Sequence, residues 1–225
     1  MKVSFFTHMT KPEERMDPWK EALDCYSHFA DEVVVVGENW PYEFNWKEIG
    51  QNFQEGFDKS TGDWVVNMPL DMFLHENSKE KLLNSFKQYD DEPALALPKF
   101  KFFSPNRCEF KNFEILFLNK KKFPDIKLNG GGDLCLATLD GMLLDYTNIP
   151  IVNIPIWNYD TFFRTKEIIS EDRVRFARAW NRYFQNWEKG KDNPDEAFEA
   201  WFKMIKKRYK KHKNMLEIND HPKYI

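Results

Sequence analysis

Four consecutive valines, Val33 to Val36, constrain this chain more than any other feature of its sequence. A run without polar alternation suits a strand covered on both faces, as strands in parallel sheets are; a strand with one wet face would alternate. Parallel neighbours need a crossover connection, and the preceding sequence supplies one. Val3 to Phe6 is a β-prone run, a polar loop follows as far as Asp17-Pro18, and Trp19, Ala22, Leu23, Tyr26, Phe29 and Ala30 then recur at helical spacing. Asp17 is expected as N-cap and Pro18 as the first helical residue, where a missing N–H costs nothing. Strand, helix and strand open an α/β layer with a right-handed crossover.

The pattern continues. Trp46, Ile49, Phe53 and Phe57 mark a second helix, and Thr61-Gly62-Asp63 turns the chain into a third strand, Trp64-Val65-Val66-Asn67-Met68. Ser78 is placed to cap a third helix with Leu82, Leu83 and Phe86 inward. Strand-like pieces follow at Ala94 to Leu97, Phe100 to Phe103 and Glu114 to Leu118, so the middle third is mixed and partly antiparallel. Ser170-Glu171-Asp172 reads as a helix start, with Phe176, Trp180, Tyr183, Phe184 and Trp187 as a stripe ending before Gly190. Asn193-Pro194-Asp195-Glu196 starts another, with Phe198, Trp201, Phe202, Ile205 and Tyr209 inward. Such aromatic stripes belong to packing. The expected fold class is α/β: a Rossmann-like mixed sheet flanked by helices over residues 1–160, and a C-terminal helical extension packed on it over residues 161–225.

Composition narrows the function classes. With 225 residues, 42% apolar and 31% charged, the chain has enough apolar content for one domain with a full core. A net charge of −3 lacks the basic excess of phosphate-backbone binders, so no nucleic-acid partner is expected. Cys25, Cys108 and Cys135 are odd in number and widely spaced, which offers neither a disulfide framework nor a zinc pattern. The apolar run at the N-terminus is too short for a signal peptide and no stretch suits a membrane span, so a soluble, cytoplasmic protein is expected. HExxH, paired CxxC and GxGxxG fingerprints are absent from the sequence.

In open α/β sheets ligands bind at the carboxyl ends of the strands. Thr7 and His8 follow the first strand, Gly37, Glu38 and Asn39 the second, and Asp71 the third. A hydroxyl, an acid with an amide, and another acid suit a ribose, a base edge and a metal-bridged diphosphate, which is a nucleotide site in outline. The competing role for Asp71 is to cap a turn.

The segment Thr61-Gly62-Asp63-Trp64-Val65-Val66-Asn67-Met68-Pro69-Leu70-Asp71 resembles the part of GT-A glycosyltransferases, family 2 in particular, that runs from a GDW turn through a strand into a DxD motif. Ala30 to Val36 looks like their second strand. Asn129-Gly130-Gly131-Gly132-Asp133-Leu134-Cys135 falls where such enzymes place an acid of the acceptor site, and His221-Pro222-Lys223 is similar to the HP ending of some members. The resemblance implies transfer of a sugar from a nucleoside-diphosphate sugar to a hydroxyl on a glycan or lipid-linked glycan, assisted by Mn²⁺ or Mg²⁺. It implies Asp71 and His221 at the metal, and Asp133 as the base that takes the acceptor proton, with Asp160 as second candidate. Thr7, Glu38 and Asn39 would meet the nucleotide, and Arg164 with Lys166 the diphosphate.

The sequence departs from the motif at one place. Pro69-Leu70-Asp71 has a single acid, which suffices only if phosphates and waters complete the metal's shell. Asn158 stands where a further histidine is expected, and His75, four residues past Asp71, is another candidate. The missing acid supports a second reading, a sugar-nucleotide or glycan binding module without turnover. A nucleotidyltransferase is disfavoured, since Thr7 to Arg15 holds no glycine for a phosphate loop. Two basic runs, Lys120 to Lys122 and Lys203 to Lys213, complete the picture. The second either answers a helix C-terminal dipole or gives a peripheral contact with an anionic membrane surface or charged glycan.

Overall fold

The computed structural model describes residues 1–38, 43–129, 136–185, 190, 192–211 and 216–225. Asn39, the run from Gly130 through Asp133 to Cys135, and Trp187 lie outside the described residues.

The opening β-α-β unit forms as its pattern dictates, from β1 (Val3–His8), α1 (Trp19–Phe29) and β2 (Glu32–Val36). β1 and β2 pair in parallel, from Ser4 opposite Glu32 to His8 opposite Val36. The valine run is nevertheless an edge strand. β2 ends the strand order, so Val33 and Val34 are only half-buried against the two faces of the core and Val35 keeps 47% of its surface exposed. Consecutive valines report helices on both faces and say nothing about a second hydrogen-bonded neighbour. α1 begins one residue later than its proline suggests: no side chain caps it, and Asp17 is drawn away by arginines.

α2 (Trp46–Lys59) is capped by Asn45, which accepts from the Lys47 and Glu48 amides, and leads into β3 (Trp64–Asn67), parallel to β1. After β4 (Met72–Leu74) and a single 3₁₀ turn comes α3 (Lys79–Gln88), where Ser78 flanks the helix but donates its hydroxyl to the His75 carbonyl. The middle pieces fuse into one long antiparallel hairpin, β5 (Ala94–Ser104) with β6 (Arg107–Asn119), broken by three register shifts. β7 (Lys127–Asn129), β8 (Leu136–Leu139) and β9 (Met142–Leu143) form a small separate sheet, and β10 (Ile156–Asn158) returns to the main one.

The main sheet runs in the order β2-β1-β3-β6-β5-β10-β4. β6 is antiparallel to both β3 and β5, and β10 is parallel to β5, so β1, β2, β3, β5 and β10 all point the same way. Alternation along β1 and β3 sends Phe5, Trp64 and Val66 to the side of α1 and α3, where Trp64 stacks on Phe86 at 4.6 Å. Phe6 and Val65 face α2, with Phe53 and Phe57. The expected α/β mixed sheet flanked by helices is thus the observed one.

α4 (Lys166–Phe184) starts a full turn before Ser170. Thr165 is its cap, and Ser170 donates to the Lys166 carbonyl from inside the helix, so a cap-like Ser-Glu-Asp triplet here sits mid-helix. α5 (Pro194–Lys211) is capped by Asn193 as expected. A final strand, β11 (Leu216–Glu217), joins β6, so the chain after α5 returns to the sheet. Cys25 and Cys108 are free and buried. Among the described residues no helix is long and apolar enough to cross a membrane.

Candidate functional site

The shared direction of β1, β3 and β10 brings three carboxyl ends to one place, and a pocket of about 260 Å³ opens there. His8 follows from β1, Pro69, Leu70 and Asp71 from β3, and Asp160 and Arg164 from β10, while Arg15 and Asp17 enter from the loop after β1.

Asp71 is held on a turn that three elements fix. Its turn closes by the Met72 amide donating to Pro69, and the buried Tyr26 of α1 donates its hydroxyl to the Pro69 carbonyl at 2.6 Å. β10 completes the grip, with the Tyr159 amide donating to the Asp71 carbonyl and Asn158 Nδ2 donating to Asp71 Oδ2 at 3.0 Å. Burial pushes the carboxyl up and the neighbouring Asp160 charge adds to it; Arg164 and the Asn158 hydrogen bond offset only part. Asp71 Oδ1 accepts no hydrogen bond among the described residues.

Asp160 has the opposite surroundings. It sits at φ +26°, a left-handed backbone uncommon for a residue with a side chain. Lys101 donates to its carboxylate, Arg173 lies at 3.5 Å and Arg164 at 4.0 Å. Burial alone would raise this carboxyl, but Lys101, Arg173 and Arg164 together outweigh it and hold it well below the usual range. Such a carboxylate keeps its charge and takes a proton poorly.

Arg164 is the hub of a buried network. Its guanidinium donates to Asp17 and, at 2.8 Å, to Asp172, and these carboxylates keep it charged although its own burial opposes that. Asp17 also accepts from Arg15 Nε at 3.1 Å, and Arg15 reaches Asp172 only at 3.7 Å. Arg15 is therefore the less firmly held of the two pocket arginines.

The remaining candidates scatter. Thr7 is fully buried in β1, its hydroxyl without a hydrogen-bond partner among the described residues, and it does not line the pocket. Glu38 is exposed and borders a separate polar groove with Glu48, Gln51 and Asn52 along α2. His221 shares a hydrogen bond of 2.8 Å with the Tyr159 hydroxyl and packs on Phe102, outside the pocket lining. His75 accepts from the Asn77 amide and lies 3.4 Å from Asp220. Lys166 turns to Asp195 and the Phe198 ring. Asn39 and Asp133 lie outside the described residues.

Sequence reasoning missed Arg15, Lys101, Asp172 and Arg173, and it gave Asp17 a capping role. No local spacing announces them, because Arg164 meets Asp17 across 147 residues and Lys101 meets Asp160 across 59. Among the described residues no group of three or more His, Cys, Asp or Glu is arranged to hold a metal ion. Among the described residues, the pocket donor left open to a cation is a carboxylate oxygen of Asp71, a donor set that would suit a hard divalent ion whose other ligands are phosphate and water.

No family model matches the chain, and neither does any curated protein. Among solved structures, S. aureus TarS 1–349 in complex with UDP-GlcNAc is similar at a TM-score of 0.47 and 13% identity, covering 90% of this chain and 72% of that one. The same TarS segment in a second structure gives a TM-score of 0.44 and 10% identity, with 90% and 71% coverage. A structure of S. aureus TarS gives 0.45 and 9%, with 90% and 43% coverage.

Proposed function

We propose that this chain is a glycosyltransferase that moves a sugar from a nucleoside-diphosphate sugar to a hydroxyl acceptor on a glycan or lipid-linked glycan. The observation that carries the reading is the pair of acids with opposite charge balance where the parallel strands end. Asp160 is compensated by three cations, whereas the Asp71 carboxylate is hydrogen-bonded by the neutral Asn158 amide and makes no ion pair among the described residues, Arg164 acting on it only at a distance. An incoming cation finds its place at Asp71, and a diphosphate finds Arg15 beside it.

In this reading Asp71 is the protein ligand of Mn²⁺ or Mg²⁺, and Asn158 sets the carboxylate's orientation. When bound, the ion would neutralise negative charge on the departing nucleoside diphosphate. Arg15 turns toward the phosphates, and Arg164 adds positive charge while it anchors Asp17 and Asp172. Glu38 and Asn39 would face the nucleotide, while Thr7, buried in β1, would act only from behind the site, and His221 would support the metal side through Tyr159. Asp133 would take the acceptor proton, a role for which the firmly ionised Asp160 is poorly suited.

Pro69, standing where the motif has an acid, favours a second reading: a binding module that holds the sugar nucleotide without turning it over. One experiment separates the two. Thermal unfolding is followed with UDP-, GDP-, CMP- and dTDP-sugars, with and without Mn²⁺, alongside an assay for released nucleotide. A metal-dependent rise in melting temperature with one donor, absent in Asp71→Asn, together with nucleotide release, is expected. The same rise without release establishes the binding module, and no rise with any donor removes both readings.

A further inference from the structure

Many exposed cations of this chain are held by acids: Lys11 by Glu14, Lys59 by Glu55, and Lys122 by Asp90 and Asp91. Others, such as Lys20, Lys47 and Lys87, stand singly without an ion pair among the described residues, and the second half of α5 gathers several such lysines on one stretch of helix. Lys203, Lys206 and Lys207 are exposed and form no ion pair among the described residues, and Met204 stands among them with 37% of its surface in water. Lys206 lies over the Phe202 ring at 4.3 Å, so its stem follows apolar surface while its head reaches solvent. Between Glu199 and Glu217 the sequence holds no acid, in a chain whose net charge is −3.

The helix dipole does not account for this. Its effect fades within the last turn, and Lys203, Lys206 and Lys207 precede the end of α5 at Lys211 by one to more than two turns. We propose that this part of α5 docks on an anionic lipid surface, with the lysines at the headgroups and Met204 at the acyl boundary. Exposed methionine among lysines distinguishes a bilayer from a soluble polyanion, which gives an apolar side chain nothing to enter. The inference stands independently of the sugar-transfer reading.

The test is co-sedimentation of the full chain with phosphatidylcholine vesicles, with and without phosphatidylglycerol. Binding is expected only to the anionic vesicles, and it should vanish as NaCl rises from about 0.1 M to about 1 M, which shortens the screening length from about 10 to about 3 Å. The triple variant Lys203→Glu, Lys206→Glu, Lys207→Glu should bind at least about tenfold more weakly. A control with the same change in net charge, Lys20→Glu, Lys47→Glu, Lys87→Glu, should bind as the wild type does, with circular dichroism confirming that both variants are folded. Met204→Ser should weaken vesicle binding and leave heparin binding unchanged. The proposal is overturned by equal binding to neutral vesicles, by no binding to anionic ones, by equal loss in both triple variants, or by a Met204→Ser variant that binds vesicles as the wild type does.

Discussion

His8 shows what it costs to place a titratable ring at the end of a buried strand. The ring packs on Phe53 at 4.7 Å, and burial, with Arg15 adding repulsion, lowers its pKa from 6.5 to about 3. A folded-state value below the unfolded one means that the neutral ring stabilises the fold fully above pH 6.5, and that this stability is lost as the pH falls from 6.5 toward 3. Asp71, pushed up, works in the opposite direction, so the contribution of His8 is read as a difference between proteins. Between pH of about 6.5 and about 4.5 the urea-unfolding free energy of the wild type should fall by about 2–3 kcal/mol more than that of His8→Gln. Equal slopes for the two would mean that the imidazole is charged in the folded protein. At this scale the sequence was half legible. Asp71 was found because it follows a strand, and that rule is local; Asp160 entered only as the second candidate for the base. Their difference in character was not legible, since it is made by Lys101, Arg173 and Asn158, which only the fold brings near.

Elements were more legible than residues, and the exceptions share a cause. Helical and strand periods recovered α1, α2, α3 and α5 because each buries one face, and that face is written in the chain. Position within the sheet is not written there, so the valine run of β2 gave its parallel pairing and not its place at the edge. The start of α4 was misread because Ser-Glu-Asp has the chemistry of a cap, while Thr165, five residues earlier, has it too and was the one used. Close approach of elements is equally silent, and Gly56 in α2 is the instance. A Cβ there would stand 2.2 Å from the Phe6 ring of β1, whose side chain is fully buried and has no room to retreat. Gly56→Ala should gain up to about 1 kcal/mol of helix propensity and lose more to overpacking, with a net destabilisation of about 1–3 kcal/mol in denaturant unfolding. A stabilised variant would show that α2 can shift away from the sheet.

Across the whole molecule, the chain after α5 ties distant parts of the sheet together. β11 pairs with β6, the Ile218 amide donates to the Asn106 carbonyl, and the Lys223 amide donates to Glu76. Between these ties His221 covers Phe102 and completes the hydrogen bond of Tyr159, a residue buried between Asn158 and Asp160 in sequence. Removing residues 212–225 would uncover Phe102 and Tyr159 and exchange the tyrosine's hydrogen bond to His221 for one to water, so the loss is chiefly of buried apolar contact. A loss of about 3 kcal/mol corresponds, for a chain of this length, to a melting temperature lower by roughly 6–12 °C. The loss should reach the pocket as well, because the Tyr159 amide and the Asn158 side chain are what β10 contributes to holding Asp71. Calorimetry of the truncated chain, paired with donor titration at a temperature where it remains folded, measures the two effects separately. A lower melting temperature with unaltered donor affinity would make the tail a clamp on the sheet alone; a fall in both would make it part of the machinery that positions Asp71.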